Sequence, residues 1–193
     1  RQRLGHYSCF SFQAVKPLTC GDGGMLICPN SEIAERAKLC RWFGLARGTP
    51  LKHNIQEPGH KFHMNDLNAS IGLGNYLHVE AAVNVAKVNA KYYYDHIDNP
   101  NIELLKRGEE CDSAYWLFTL LVKGRKRKNF CEWLDAHGIG HSLAHVRSDT
   151  HDIFKKWGCY LPGMNEIEGR YVNIAVGWWI TPKEREKNSG GHQ

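Results

Sequence analysis

Lys16 is the residue of this chain whose setting best suits covalent chemistry. It lies in Ser11-Phe12-Gln13-Ala14-Val15-Lys16-Pro17-Leu18-Thr19-Cys20-Gly21-Asp22-Gly23-Gly24. An apolar run, Cys9 to Phe12, leads into it, and a second apolar run spans Met25 to Cys28. The pattern predicts two short strands with the lysine in the turn between them. A lysine reacts as the neutral amine, and burial lowers its pKa toward that form. The glycines beside it let backbone approach a ligand closely. An amine in this setting suits a Schiff base with a carbonyl, and pyridoxal phosphate (PLP) is the usual cofactor that needs one. The plainer alternative is a solvated turn lysine.

Further elements must hold that turn. Asn30 or Ser31 is a good N-cap for an amphipathic helix carrying Ile33, Ala34, Ala37, Leu39 and Cys40 and ending near Gly44. Residues 44–62 read as a loop rich in Gly, Pro and His. Asn65 or Asp66 caps a second helix with apolar positions at Leu67, Ala69, Ile71, Leu73 and Tyr76. Its pattern runs to about Asp95, so a break is expected near Gly72-Leu73-Gly74. Asn99-Pro100 is a stop. Beyond it, Tyr115–Val122 reads as a strand, and Phe130–His137 as a short helix closed by Gly138. Residues 140–146 and 171–180 read as further strands, with Trp178 and Trp179 packing inward at the end of the latter. A last helix opens at Pro182, followed by a polar tail from Asn188. A domain boundary is placed near Pro100.

Composition narrows the class. The chain has 193 residues, 42% hydrophobic and 23% charged, with a formal net charge of +5. That suffices for one or two domains with a real core. No stretch approaches the roughly 18 consecutive apolar residues of a membrane span. No secretory signal pattern stands at the start. Seven cysteines, none in a C-x-x-C pair, read as reduced thiols of a cytoplasmic protein. The basic run Arg125–Lys128 reads as a solvated turn, and no interleaved aromatics support nucleic-acid binding. His141, His145, Arg147, Asp149 and His151 match no closed zinc spacing, so no metal site is expected.

The lysine block closely resembles the Ser-Phe-x-x-x-Lys-x-x-Thr-x-Gly-Glu/Asp-Gly-Gly signature of the DegT/DnrJ nucleotide-sugar aminotransferases. Ser11, Phe12, Lys16, Thr19, Gly21, Asp22, Gly23 and Gly24 all fall in register. Residues 58–73 resemble a second block of that group, with Lys61 where many members have Asn and His63 where many have Arg. Residues 138–151 resemble a Gly-Ile…His-x-Arg-x-Asp-x-His pattern of perosamine-synthase-like branches. The resemblance implies an α/β chain of PLP-dependent transferase fold type I: residues 1–99 as the end of the large domain and 100–193 as a small α+β domain.

It also implies roles. Lys16 would carry PLP as a Schiff base and shuttle the proton during transamination; relatives with histidine at this place run a dehydration instead. Ser11 would hydrogen-bond the cofactor phosphate. Lys61 would reach the cofactor phosphate of a neighbouring subunit, as a point charge in place of asparagine. His145 and Arg147 would stand on the substrate side. The expected reaction moves an amino group from glutamate to a keto group of a nucleotide-linked deoxysugar, 4-keto-6-deoxy first among the options. A homodimer with shared sites is implied. The residues that pair with the pyridine nitrogen and stack on the ring lie, in the family, before the lysine, where this chain has fifteen residues. The expectation is therefore the C-terminal half of such an enzyme. The alternative is a truncated, non-catalytic homologue that binds a sugar nucleotide or a dimer partner.

Overall fold

The computed structural model describes residues 6–46, 48, 50, 54–55, 57–124 and 126–190. Two compact units emerge, residues 1–80 and 81–193. Arg125 of the expected basic turn and residues 191–193 of the expected tail lie outside the described residues.

In the first unit, β1 (Ser8–Ser11) and β2 (Gly24–Ile27) form an antiparallel hairpin with Ser8 opposite Ile27 and Ser11 opposite Gly24. Helix α1 (Ser31–Arg41) starts at Asn30, whose side chain accepts from the Ile33 N–H at 2.9 Å. After it the chain returns antiparallel to itself: His60 N–H donates to the Cys40 carbonyl and Phe62 N–H to that of Arg41. Helix α2 (Asp66–Tyr76) is capped by Asn65, which accepts from the Asn68 N–H at 2.8 Å.

Two expectations for α2 are corrected. The break falls at Leu77-His78, not at Gly72–Gly74, which stay helical. The apolar positions do not face inward either. Leu67, Ile71, Leu73 and Tyr76 are exposed, and the helix turns Asn68, Gly72 and Asn75 toward the hairpin instead. Their spacing of four and three residues puts them on one helical face.

The second unit begins in helix α3 (Val79–His96). A four-stranded antiparallel sheet follows, in the order β3 (Ile102–Leu104), β4 (Phe118–Val122), β6 (Tyr171–Ile174), β5 (His141–Ser142). The register pairs Phe118 with Ile174 and Leu120 with Val172, so four apolar side chains share one face. Ala90, Tyr93 and Ile97 of α3 and its exit, and Leu134 of α4 (Arg127–Ala136), belong to the same buried cluster. Ile139 joins them after Gly138, where φ of +60° suits glycine. Helices α5 (Pro162–Ile167) and α6 (Pro182–Gly190) complete the unit.

Several predicted elements are shorter or longer than expected, and three of them have a reason visible here. Tyr115 has φ of +48°, so the strand starts only at Phe118. The strand from Tyr171 stops at Ile174 because the next carbonyls turn to α3: Tyr93 Oη donates to Ala175 at 2.9 Å, and Asn89 Nδ2 to Val176 and Gly177 at 3.2 Å each. Trp178 and Trp179 therefore lie beyond the strand and are 62% and 53% exposed, not packed inward. The supposed polar tail from Asn188 is the last turn of α6, with Asn188 and Ser189 buried. A capping box opens that helix: Glu184 accepts from Thr181 N–H at 2.9 Å, and Glu184 N–H donates back to Thr181 Oγ1.

Asn188 donates to Tyr93 Oη at 3.1 Å, and burial pushes the Tyr93 phenol up. Replacing Asn188 with Ala removes a buried partner, with an expected cost of about 1–3 kcal/mol. A urea titration checks this; an unchanged midpoint would return residues 188–190 to the status of a tail.

Candidate functional site

Lys16 sits on the turn that joins β1 to β2, where its own N–H donates to the Gln13 carbonyl at 2.9 Å. It is half-buried, not sealed in a core. Ser11 ends β1, and its exposed hydroxyl accepts from the Gln13 N–H at 3.4 Å. The turn is closed across its base by Phe12 N–H to Gly23 O at 2.8 Å and Cys20 N–H to Phe12 O at 2.9 Å. Thr19 Oγ1 donates to the Phe12 carbonyl and accepts from the Gly21 N–H.

Helix α2 then locks the turn from one side. Asn68 Nδ2 donates to Asp22 O at 2.7 Å, and Asn75 Nδ2 to Thr19 O at 2.8 Å. Between them Cys20, 1% exposed, packs against Gly72, where an added Cβ would lie 3.2 Å from the Cys20 Cβ. An added Cβ on Gly23 would stand 2.6 Å from the Cys20 Sγ and 2.8 Å from Met64 Cε. Gly23 of the turn and Gly72 of α2 are thus small for packing around a buried thiol, whereas Gly21, with φ of +85°, serves the backbone. Sequence reasoning missed Cys20, Asn68 and Asn75 as supports. The available signal was the asparagine pair seven residues apart, two turns along one face of the helix.

Lys61 lies on the returning segment, bridged antiparallel to Trp42, and is exposed. Nearby in sequence, His63 meets the Trp42 ring edge-on at 4.1 Å between centroids. Its buried Nδ1 has no hydrogen-bond partner among the described residues.

His145 and Arg147 belong to the second unit. On the sheet face opposite the core, Thr119 Oγ1 donates to Asn173 Oδ1 at 2.8 Å. The Asn173 amide in turn donates to the carbonyls of Ser142 and Ala144. This draws the chain off the ladder, so the predicted strand 140–146 is paired only at His141 and Ser142. Tyr171 Oη then fixes the His145 carbonyl at 2.7 Å. The exposed His145 ring lies over Trp116 at 5.8 Å.

Arg147 is enclosed. Its Nε and Nη2 donate to the two Asp149 oxygens at 2.9 and 2.6 Å, and its Nη1 to Asn165 at 2.7 Å and Glu168 at 2.9 Å. Hydrogen bonds to Asp149 push the Arg147 guanidinium further up, and the reciprocal bonds hold the Asp149 carboxyl below its usual range. Among the described residues, no three His, Cys, Asp or Glu side chains gather as a metal site. None of the described helices is long and apolar enough to cross a membrane.

The model of the DegT/DnrJ/EryC1/StrS aminotransferase family matches residues 2–184. The chain belongs to this family. Among solved structures, the DegT/DnrJ/EryC1/StrS chain is similar to AtS13 from Actinomadura melliaura, with 35% identity and a TM-score of 0.92 over 98% of this chain and 51% of that one. It is similar to the sugar aminotransferase CalS13 from Micromonospora echinospora at 28% identity and a TM-score of 0.91, over 96% and 51%. A curated relative, MJ1066 of Methanocaldococcus jannaschii, is 29% identical over 178 residues, covering 83% of this chain and 45% of that protein. The chain spans about half the length of these relatives. Its fold is the α/β architecture of PLP-dependent transferases of fold type I.

The residues of the first unit fit the reactive ends of PLP. They offer a half-buried amine on an anchored turn, a hydroxyl at the strand end, and an exposed cation at Lys61. These are donors suited to an aldehyde and to a phosphate.

Two predictions follow the geometry. Gly23→Ala forces the Cys20 thiol or Met64 to move and is expected to cost about 1–3 kcal/mol; thermal unfolding beside wild type reads it, and an equal midpoint would show the turn to be loosely packed. The second concerns pH. Because the folded value of Asp149 is depressed, its contribution is fully present above the usual aspartate pKa of about 3.9 and is lost as pH falls through the lower folded value. An Asp149→Asn variant should therefore show a shallower loss of stability below about pH 4 than wild type. Parallel acid-denaturation curves for the two proteins would dismiss the pair as a source of acid sensitivity.

Proposed function

We propose that this chain is the C-terminal half of a PLP-dependent sugar aminotransferase. The carrying observation is Lys16, half-buried on a turn whose carbonyls and thiol are gripped by α2, in a chain of this family. When bound, PLP supplies the electron sink and the amino-group carrier. Lys16 Nζ holds the cofactor covalently and, once displaced, accepts and returns the proton that moves during transfer. Ser11 donates its hydroxyl hydrogen to a phosphate oxygen. Lys61 lends a positive charge to the phosphate of a neighbouring subunit's site.

The substrate side includes His145 and the segment that Arg147 anchors. The amino donor is glutamate and the acceptor a nucleotide-linked keto-deoxysugar, 4-keto-6-deoxy in the first instance, as in a perosamine-type branch. A basic chain with net charge +5 favours such an anionic substrate. The working form is a cytoplasmic homodimer. Exposed Leu67, Ile71, Leu73 and Leu77 around α2 support a further interface, since an apolar surface of this kind is unusual on a monomer. The division into a large domain through residue 99 and a small domain from residue 100 is part of this proposal.

A second reading, favoured by a Lys16 that is half-buried and not sealed in a core, keeps the family without the chemistry. It is a non-catalytic homologue that binds a sugar nucleotide or a partner subunit. The full-length protein, incubated with PLP and reduced with borohydride, separates the two. The aminotransferase reading expects a visible absorption band, a reduced cofactor mapped to the Lys16 peptide, and loss of both in Lys16→Ala. Amino transfer in that variant should fall by about 10²–10⁴-fold or more. A wild-type protein with no band, or with label spread over many lysines, would move the assignment to the non-catalytic homologue.

A further inference from the structure

The Arg147 guanidinium spends its fork on the protein itself. Its side chain is only 9% exposed, and both its edges are occupied, by Asp149 on one and by Asn165 and Glu168 on the other. Asp149 lies in the 3-10 turn Ser148–Thr150, while Asn165 lies in α5 and Glu168 immediately follows it. One planar group thus joins the two ends of the segment 150–164. Thr150 Oγ1 adds a bond to the Arg147 carbonyl at 2.7 Å. The segment between contains the 3-10 stretch Asp152–Trp157 and exposes Ile153, Trp157 and Tyr160 at 70%, 64% and 82%. With so little inward apolar packing, its shape depends on its ends. The same group anchors the chain two residues after His145, whose carbonyl is held independently by Tyr171.

We infer that Arg147 is a positioning residue: with Asp149, Asn165 and Glu168 it forms a clasp that sets the course of residues 145–161. It does not offer an open charge to an anionic substrate. Two charge-assisted bonds to one carboxylate, in a fork geometry that lysine cannot reproduce, make the clasp directional. The claim that His145 is thereby aimed at substrate rests on the aminotransferase reading; the clasp itself does not.

The test is peptide-level hydrogen exchange on the full-length protein, with Arg147→Ala, Arg147→Lys, Asp149→Asn and Glu168→Gln beside wild type. The clasp predicts exchange across 145–161 about ten-fold faster in Arg147→Ala and Asp149→Asn, with α3 and β4 unchanged. Arg147→Lys should fall in between. In the assay, KM for the keto-sugar should rise in Asp149→Asn and Glu168→Gln as in Arg147→Ala, because all three open the clasp. If Arg147 instead binds substrate directly, Asp149→Asn and Glu168→Gln should leave KM unchanged or lower it, and exchange at 145–161 should stay as in wild type; that result overturns the inference. Acceleration spread equally over the whole second unit overturns it too, by reducing Arg147 to a general stabiliser. The exchange arm stands even if no aminotransferase activity is found, so failure of that reading is distinguishable.

Discussion

An asparagine amide offered to a backbone carbonyl that has left its strand is the recurring device of this structure. Asn68 and Asn75 take the carbonyls of Asp22 and Thr19 in the lysine turn. Asn173 takes those of Ser142 and Ala144 ahead of His145, and Asn89 those of Val176 and Gly177 after β6. A chain that departs from a sheet must satisfy its polar groups elsewhere, or lose about 1–3 kcal/mol for each one stranded in the interior. A side chain fixed on a helix or strand satisfies them with a set geometry. The loops that carry the candidate chemistry are therefore held by rigid elements and are not free to wander.

In the first unit, that device works together with close packing. Cys20 is the buried knob, and Gly23, Gly72 and Met64 surround it. The thiol fills space that a larger residue would overfill, and the helix approaches closely because Gly72 presents no side chain. Lys16 rides on a turn whose far end, Thr19 to Gly23, is gripped.

The second unit solves a related problem with charge. Its apolar sheet face is covered by α3 and α4, with Tyr93 edge-on to Phe118 at 5.1 Å. Its opposite face carries Thr119 and Asn173, a polar pair that steers the chain toward His145. Farther out, where little apolar surface is buried, the Arg147 fork takes over. Exposed ion pairs contribute little singly, but a bidentate pair with additional neutral and charged partners fixes geometry as well as adding energy.

The sequence by itself determined the lysine turn, the two short strands around it, helix caps at Asn30 or Ser31 and at Asn65 or Asp66, and the family. These follow from local rules: strand periodicity, glycine placement and side-chain capping within three residues. It did not reveal that α2 would face inward with asparagines and glycine, because its apolar residues are spread around the helix and single out no face. It did not end the strands at Ser142 and Ile174, since the amides that capture the following carbonyls come from Asn173 and Asn89, about thirty and ninety residues away in the chain. It showed the charge of Arg147 but not that Asn165 and Glu168, 18 and 21 residues on, would take one edge of its guanidinium. Only the tertiary structure decided those points, because each depends on a carbonyl or carboxylate brought from a distant part of the chain.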